Sequence, residues 1–147
     1  MKKQKIYFFL CIAALFLSGI SCNSTEDDVI SYTVSESVRV SGFSLAANDS
    51  VLAHLDTIFF TIDLNKGQIY NADSLPVGTD VSALIANISF DNVAQAKIYM
   101  DKGDPAKNDT IDYIANPTDS IDFTSKVSLE VTAQNGTTVK WYSVKVN

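Results

Sequence analysis

The loop 101–110 (DKGDPAKNDT) collects side chains whose oxygens could bind a hard cation. The candidate calcium ligands are Asp101, Asp104, Asn108 and Asp109. Calcium sites need many oxygen ligands, and in an EF-hand loop a bidentate Glu completes the set at a fixed spacing. Neither that spacing nor that Glu is present here. The sequence therefore favours a solvated turn over a calcium site.

Enzyme chemistry has few side chains to draw on. His54 is the only histidine, and a single histidine without an arranged carboxylate and nucleophile is more often a surface residue than a catalytic base. No nucleophile elbow, P-loop, zinc-binding HExxH or dinucleotide-binding glycine motif occurs. A glycosidase needs only two carboxylates, but fourteen aspartates produce such pairs by chance. We predict no enzyme activity and no cofactor, with a glycan-active enzyme as the remote alternative.

Five hydroxyl residues share one local pattern, in which Asp precedes them and an aliphatic residue follows. They are Ser50, Thr57, Ser74, Thr110 and Ser120. Composition alone predicts about one such triplet. The triplets resemble the Asp-Ser/Thr-aliphatic sequence that Bacteroidota O-glycosylate on exported proteins. A polar turn that enters a strand would produce the same pattern without any glycan.

Trp141 is the aromatic residue whose position the sequence defines best, because it lies in a predicted β-hairpin around Asn135-Gly136. An even-membered loop there places Leu129 opposite Tyr142 and Val127 opposite Val144 on an apolar face. The same register pairs Glu130 with Trp141 and Ser128 with Ser143 on the other face. An aromatic side chain on that face could stack on a sugar ring or contact another domain. Alternatively, it covers the rim of the sheet or packs under a loop.

The rest of the chain predicts further short strands. Alternation changes phase at Ser41-Gly42, which indicates a β-bulge. Residues 58–64 alternate most clearly and predict an interior strand. Asp80 is a candidate N-cap for one or two helical turns within a connection that crosses between sheets.

Two more strands are predicted at 85–90 and 96–100, with Lys97 and Tyr99 alternating with apolar residues. With about seven or eight short strands, the chain is predicted to be all-β, an antiparallel Ig-like or cadherin-like β-sandwich over residues 37–147.

The N-terminus has the pattern of a bacterial lipoprotein. Residues 1–21 combine three lysines with an apolar run too short to span a bilayer, which is typical of a signal peptide. Cys22 follows at the position of an acylated cysteine. Gly19 replaces the usual Leu three residues earlier, so ordinary secretory cleavage at the same bond is the alternative. Acylation would remove an otherwise exposed thiol.

Residues 22–36 form a predicted flexible tether, acidic after Cys22. The tether resembles the acidic export tag of surface-exposed Bacteroidota lipoproteins, although a linker can also be acidic without being a tag. Without the signal peptide the chain has eight basic and seventeen acidic residues, a net charge of −9. Nucleic acid would be repelled by this charge. We expect a lipid-anchored, surface-exposed outer-membrane protein.

Three segments together resemble a known type of module: loop 75–84 (LPVGTDVSAL), the tripeptide 122–124 (DFT) and the hairpin 131–138 (VTAQNGTT). They are similar to the Ig-like modules of Bacteroidota surface lipoproteins, and more narrowly to an uncharacterised family in which the module precedes a Kelch-like propeller. The resemblance covers roughly residues 37–147. Because the sequence ends where a propeller would begin, we expect a stand-alone module or the front of a split gene. The family implies no catalytic residues.

The expected function is therefore non-enzymatic. One hypothesis is a module that binds or presents, with a glycan or a surface protein as its partner in recognition or adhesion. The other is a structural spacer that holds a partner away from the membrane.

Overall fold

The computed structural model describes residues 35–147. The predicted signal peptide (1–21), the predicted acylation site Cys22 and nearly all of the predicted tether (22–36) lie outside the described residues.

Residues 35–147 form eight β-strands and one 3-10 helix at Leu55–Thr57. The strands are β1 Arg39–Leu45, β2 Phe60–Asp63, β3 Gln68–Asn71, β4 Ala86–Asp91, β5 Val93–Asp101, β6 Asp109–Asp112, β7 Lys126–Ala133 and β8 Val139–Lys145. Within this part of the chain, no helix is long or apolar enough to cross a membrane. The prediction of an all-β protein with seven or eight strands is confirmed.

The strands divide into two sheets. β1 and β4 form a two-stranded sheet, and the others form a six-stranded sheet in the order β2-β3-β8-β7-β5-β6. Every pair in residues 35–147 is antiparallel except β3 with β8, which is parallel. The connection from β3 to β4 passes from one sheet to the other, as predicted.

The core lies between the two sheets. Phe43 of the small sheet contacts Phe60 of the large sheet, with ring centroids 4.8 Å apart. The buried Tyr113 hydroxyl donates to Ala86 O at 3.0 Å and accepts from the N–H of Ile88 at 2.8 Å. Polar bonds as well as apolar packing therefore join the sheets, and the domain is a β-sandwich.

The predicted bulge in β1 is confirmed, because the register with β4 shifts between Val40 and Gly42. The hydroxyl of Tyr142 lies beside this bulge and accepts from the N–H of Val40 at 3.4 Å. Tyr142 thus connects the closing hairpin to the irregular point of the opposite sheet.

The hairpin register is also confirmed, with Leu129 opposite Tyr142 and Glu130 opposite Trp141. The loop is wider than the two residues Asn135-Gly136. The last bonded pair of the hairpin is Ala133 with Thr138, where the N–H of Ala133 donates to Thr138 O at 2.8 Å, and four residues (134–137) lie between them. Asn135 Oδ1 accepts from the N–H groups of Thr137 and Thr138 at 3.0 and 2.9 Å. The loop still has an even number of residues, so the residues of the two hairpin strands lie on the predicted faces of the sheet.

Two local predictions are wrong. Residues 58–64 do not form an interior strand: β2 is at the edge of the large sheet, and Leu64 is 47% exposed. Asp80 does not cap a helical turn. The N–H and Oγ of Ser82 donate to Asp80 Oδ1 at 3.0 and 2.6 Å, which makes a local turn and holds the pKa of Asp80 below its usual value.

Candidate functional site

Trp141 lies on the solvent-facing side of the large sheet, which we call the outer face, and is 54% exposed. Its ring is 5.4 Å from that of Tyr99, centroid to centroid, at an interplanar angle of 35°. Tyr99 is on β5 and Trp141 on β8, with β7 between them. The two rings therefore meet across β7 and form one aromatic surface.

Glu130 of β7 fixes this aromatic pair from one side. The hydroxyl of Tyr99 donates to Glu130 Oε2 at 2.8 Å. This hydrogen bond, with smaller contributions from burial and from the charge of Glu130, raises the pKa of Tyr99 above its ordinary value. Tyr99 is thus held neutral and oriented beside the indole of Trp141.

A groove of about 360 Å³ opens on the other side of Trp141, towards the turn between β2 and β3. We call it the Trp141 groove. It is lined by Leu64, Asn65, Lys66, Gly67, Val139, Lys140, Trp141 and Tyr142. Its walls combine the exposed apolar side chains of Leu64, Val139 and Trp141 with two lysines and polar main-chain groups.

Gly67 determines how closely the β2–β3 turn approaches β8. Its φ of 62° is in the left-handed region, and a Cβ there would lie 2.6 Å from Trp141 O. The carbonyl of Gly67 accepts from the N–H of Ser143 at 2.8 Å. Only glycine allows the turn to lie against the β8 backbone in this way, so Gly67 defines one wall of the groove.

The predicted calcium candidates are occupied in local turn bonds. Asp101 accepts from the N–H of Gly103, Asp104 from Ala106 and Asp109 from Thr110, while Asn108 accepts from Lys102. Among residues 35–147, no three His, Cys, Asp or Glu side chains are grouped so that they could hold a metal ion.

His54 is exposed and adopts a left-handed conformation with φ of 62°. Its carbonyl accepts from Thr57. The structure does not place it on the outer face, where Tyr99, Glu130 and Trp141 meet.

The five hydroxyl residues of the Asp-Ser/Thr-aliphatic triplets, Ser50, Thr57, Ser74, Thr110 and Ser120, are all exposed. Thr57 ends the 3-10 helix, Thr110 lies in β6, and Ser50, Ser74 and Ser120 lie outside the strands and the helix. Ser50 donates to Asn48 Oδ1 at 2.6 Å and Thr57 to His54 O at 2.8 Å. The aliphatic residues Leu75, Ile111 and Ile121 that follow the other three are buried, as expected where a turn enters the core.

Asn71, at the end of β3, is a buried polar side chain that the sequence did not single out, with 1% exposure. Its Nδ2 donates to Asp73 O at 2.7 Å and to Asn147 O at 3.0 Å, and its Oδ1 accepts from the N–H of Asn147 at 2.8 Å. Asn71 therefore ties residue 147 to the large sheet.

The sequence correctly predicted the face on which Trp141 lies and its pairing with Glu130, but it did not select Tyr99, Lys66 or Lys140 as neighbours of Trp141. Alternation in 96–100 already placed Tyr99 opposite to the apolar residues of β5. That β5 lies next to β7 depends on pairing between distant segments, and no local signal reports it.

By its fold, the chain is a β-sandwich module. The family model described as "Domain of unknown function (DUF6242) N-terminal domain" matches residues 31–146. This match covers most of the sequence, and the chain belongs to that family. No curated protein and no solved structure matches it significantly. The family assignment agrees with the resemblance to an uncharacterised module.

Proposed function

We propose that this protein is a non-enzymatic lipoprotein of the outer membrane, exposed at the cell surface, whose Ig-like sandwich binds or presents a partner through the outer face around Trp141. The observation that carries the proposal is the pair formed by exposed Trp141 and partly buried Tyr99. A tryptophan that is half exposed beside a second aromatic ring offers flat apolar area of the kind found at interfaces. The partner is a glycan or another surface protein.

A binding screen with two matched variants tests this proposal. Trp141→Ala removes the aromatic surface, and Phe59→Ala removes an aromatic residue that is 78% exposed but does not line the Trp141 groove. We expect binding to immobilised glycans or surface extracts to be lost in the first variant and retained in the second. Equal loss in both variants, or full retention in Trp141→Ala, would contradict the proposal.

The lipid anchor at Cys22 is part of the same proposal and is supported by the signal-peptide pattern at 1–21. Metabolic labelling with palmitate should mark the wild-type protein and not Cys22→Ser. Protease treatment of intact cells should release the domain if it is displayed outside. A protected domain would contradict surface exposure and leave the anchor itself unaffected.

The alternative function, a spacer that holds a partner away from the membrane, is favoured by the way Asn71 fixes Asn147. A rigid spacer requires the polypeptide to be tied to the body of the domain. For the spacer, we propose a Kelch-like propeller of Bacteroidota as the partner. This is supported by the resemblance of segments 75–84 and 131–138 to modules that precede such a propeller. A co-purified propeller protein, with the interaction unaffected by Trp141→Ala, would favour the spacer.

O-glycosylation is proposed at one or more of Ser50, Thr57, Ser74, Thr110 and Ser120. Their exposure supports access for a transferase. Among the described residues, the hydroxyls of Ser74, Thr110 and Ser120 have no hydrogen-bond partner, so modification would break no hydrogen bond of theirs. An intact mass of the native protein equal to polypeptide plus lipid would exclude the glycan.

A further inference from the structure

The Trp141 groove has a charge opposite to that of the protein around it. Residues 35–147 carry fourteen acidic and eight basic side chains, whereas the only charged residues lining the groove are Lys66 and Lys140. Lys66 lies 3.7 Å from Asp63 Oδ2, but its side chain is 72% exposed. An exposed pair of this kind contributes little, so the ammonium of Lys66 can also interact with a ligand.

The backbone of β8 contributes further donors to the same groove. The N–H of Ser143 donates to Gly67 O and therefore points away from β7. Alternate residues of a strand direct their N–H and C=O groups to the same side, so those of Trp141 and Val139 also point away from β7. β3 pairs with β8 only from Ser143 onwards. The groove thus lies along a stretch of β8 edge that β3 does not cover.

The apolar part of the groove is formed by Trp141, Val139 and Leu64, all partly exposed. An indole face next to aliphatic side chains suits a ligand that has a flat apolar face and hydroxyl groups around its edge. A pyranose ring has this shape, with axial C–H groups on one face. The two lysines and the backbone N–H groups at the edge would bind oxygen atoms that carry negative charge.

We propose that the Trp141 groove binds an acidic sugar unit of a polysaccharide, a uronate or a sulfated pyranose. The ring stacks on Trp141, and the carboxylate or sulfate pairs with Lys66. Lys140, whose side chain alternates to the other side of β8 from Trp141, adds positive charge at the open edge of the groove. This inference rests on the proposed binding function and specifies its ligand class. An acidic peptide is less suited, because the uncovered edge at 139–142 is too short for the run of main-chain hydrogen bonds that holds an added strand.

The test is a titration of the full chain with polygalacturonate and chondroitin sulfate, alongside dextran as neutral polysaccharide and polyglutamate as acidic peptide. The double variant Lys66→Ala/Lys140→Ala is compared with Lys102→Ala/Lys107→Ala, which removes the same charge from the loop between β5 and β6. Affinity for an acidic polysaccharide should fall about tenfold in the first variant and in Trp141→Ala. The control should bind like the wild type.

The dependence of affinity on salt concentration provides a second test. Exposed ion pairs are screened, with a Debye length of about 8 Å at 0.15 M ionic strength, so wild-type affinity should decline with added salt more steeply than that of Lys66→Ala/Lys140→Ala. Circular dichroism confirms that each variant is folded, and Trp141→Phe should retain part of the affinity.

Each outcome is decisive. Dextran binding that depends on Trp141 but not on the lysines would overturn the acidic-sugar inference and leave the proposed binding function standing. Polyglutamate bound as tightly as the polysaccharides would replace the sugar with a peptide. Failure of the folded wild type to bind either acidic polysaccharide overturns the inference, while binding in the general screen that is insensitive to Trp141→Ala overturns the proposed function itself.

Discussion

The two faces of the β7–β8 hairpin are made of alternate residues of the same strands but differ in what they contact. On the inner face, Leu129 and Tyr142 are 0% and 2% exposed and pack in the core. On the outer face, Glu130 and Trp141 occupy the adjacent positions, and Trp141 is half exposed. The side chains of the inner face are therefore required for the fold, whereas those of the outer face are available for binding.

Leu129→Ala should produce the largest effect on stability, because it opens a cavity in a closely packed core. We expect the free energy of unfolding to fall by about 2–5 kcal/mol, measured by urea denaturation. Trp141→Ala on the outer face should cost much less than Leu129→Ala. Comparable losses in the two variants would show that the outer face also supports the fold.

Gly67→Ala tests the position where the β2–β3 turn lies against the backbone of β8. A left-handed alanine and its contact with Trp141 O should cost about 1–3 kcal/mol. Gly136→Ala is the matched control, since Gly136 has φ of 72° but a Cβ added to it would meet no atom within 4 Å. The difference between the two melting curves isolates the contact with Trp141. If both variants lose the same stability, the close approach of the turn to β8 has no energetic role.

Asn71→Ala tests the role of the buried polar side chain at the end of β3. It removes three hydrogen bonds from a buried side chain and should lower stability by about 1–3 kcal/mol, seen as a lower urea midpoint. Asn87→Ala is a suitable control, because Asn87 is exposed on β4. Amide exchange at Asn147 should accelerate only in the Asn71 variant, and unchanged protection there would contradict the assigned role.

The smallest effect concerns the ionisation of Tyr99. Its pKa is raised by the hydrogen bond to Glu130, so the folded protein favours the neutral form. The stabilising contribution is therefore complete below about pH 10, the pKa of an unperturbed tyrosine, and is lost as pH rises through the higher folded pKa. Glu130→Gln should lower that pKa.

Trp141 is the single tryptophan, and its fluorescence reports the titration of Tyr99 locally. A tyrosinate beside the indole should quench the emission, and the quenching midpoint should fall to lower pH in Glu130→Gln. Tyr99→Phe should remove this transition. An identical midpoint in the wild type and Glu130→Gln would show that Glu130 does not control Tyr99.

The sequence predicted best where the determinants are local. Alternation and loop parity around Asn135-Gly136 were enough to assign Leu129 to the core and Trp141 to the outer face. The bulge at Ser41-Gly42 was local in the same way. These predictions needed no knowledge of how segments distant in sequence pair.

Predictions failed where pairing between distant segments decides the outcome. Residues 58–64 alternate like an interior strand, but burial depends on neighbours, and β2 has only β3 beside it. The side chain of Asp80 bonds to Ser82 in a turn and starts no helix. Lys66 and Lys140 are far apart in sequence and meet at one groove only because β3 lies beside β8.

The parallel pairing of β3 with β8 also determines when the domain can be completed. Within residues 35–147, β8 follows the other strands in sequence and alone joins the β2–β3 pair to β7, β5 and β6. Until β8 has been synthesised, the large sheet consists of two unconnected parts with open edges. Such non-local pairing slows folding. Late closure would suit export in an unfolded state, which the prediction of a signal peptide at residues 1–21 implies.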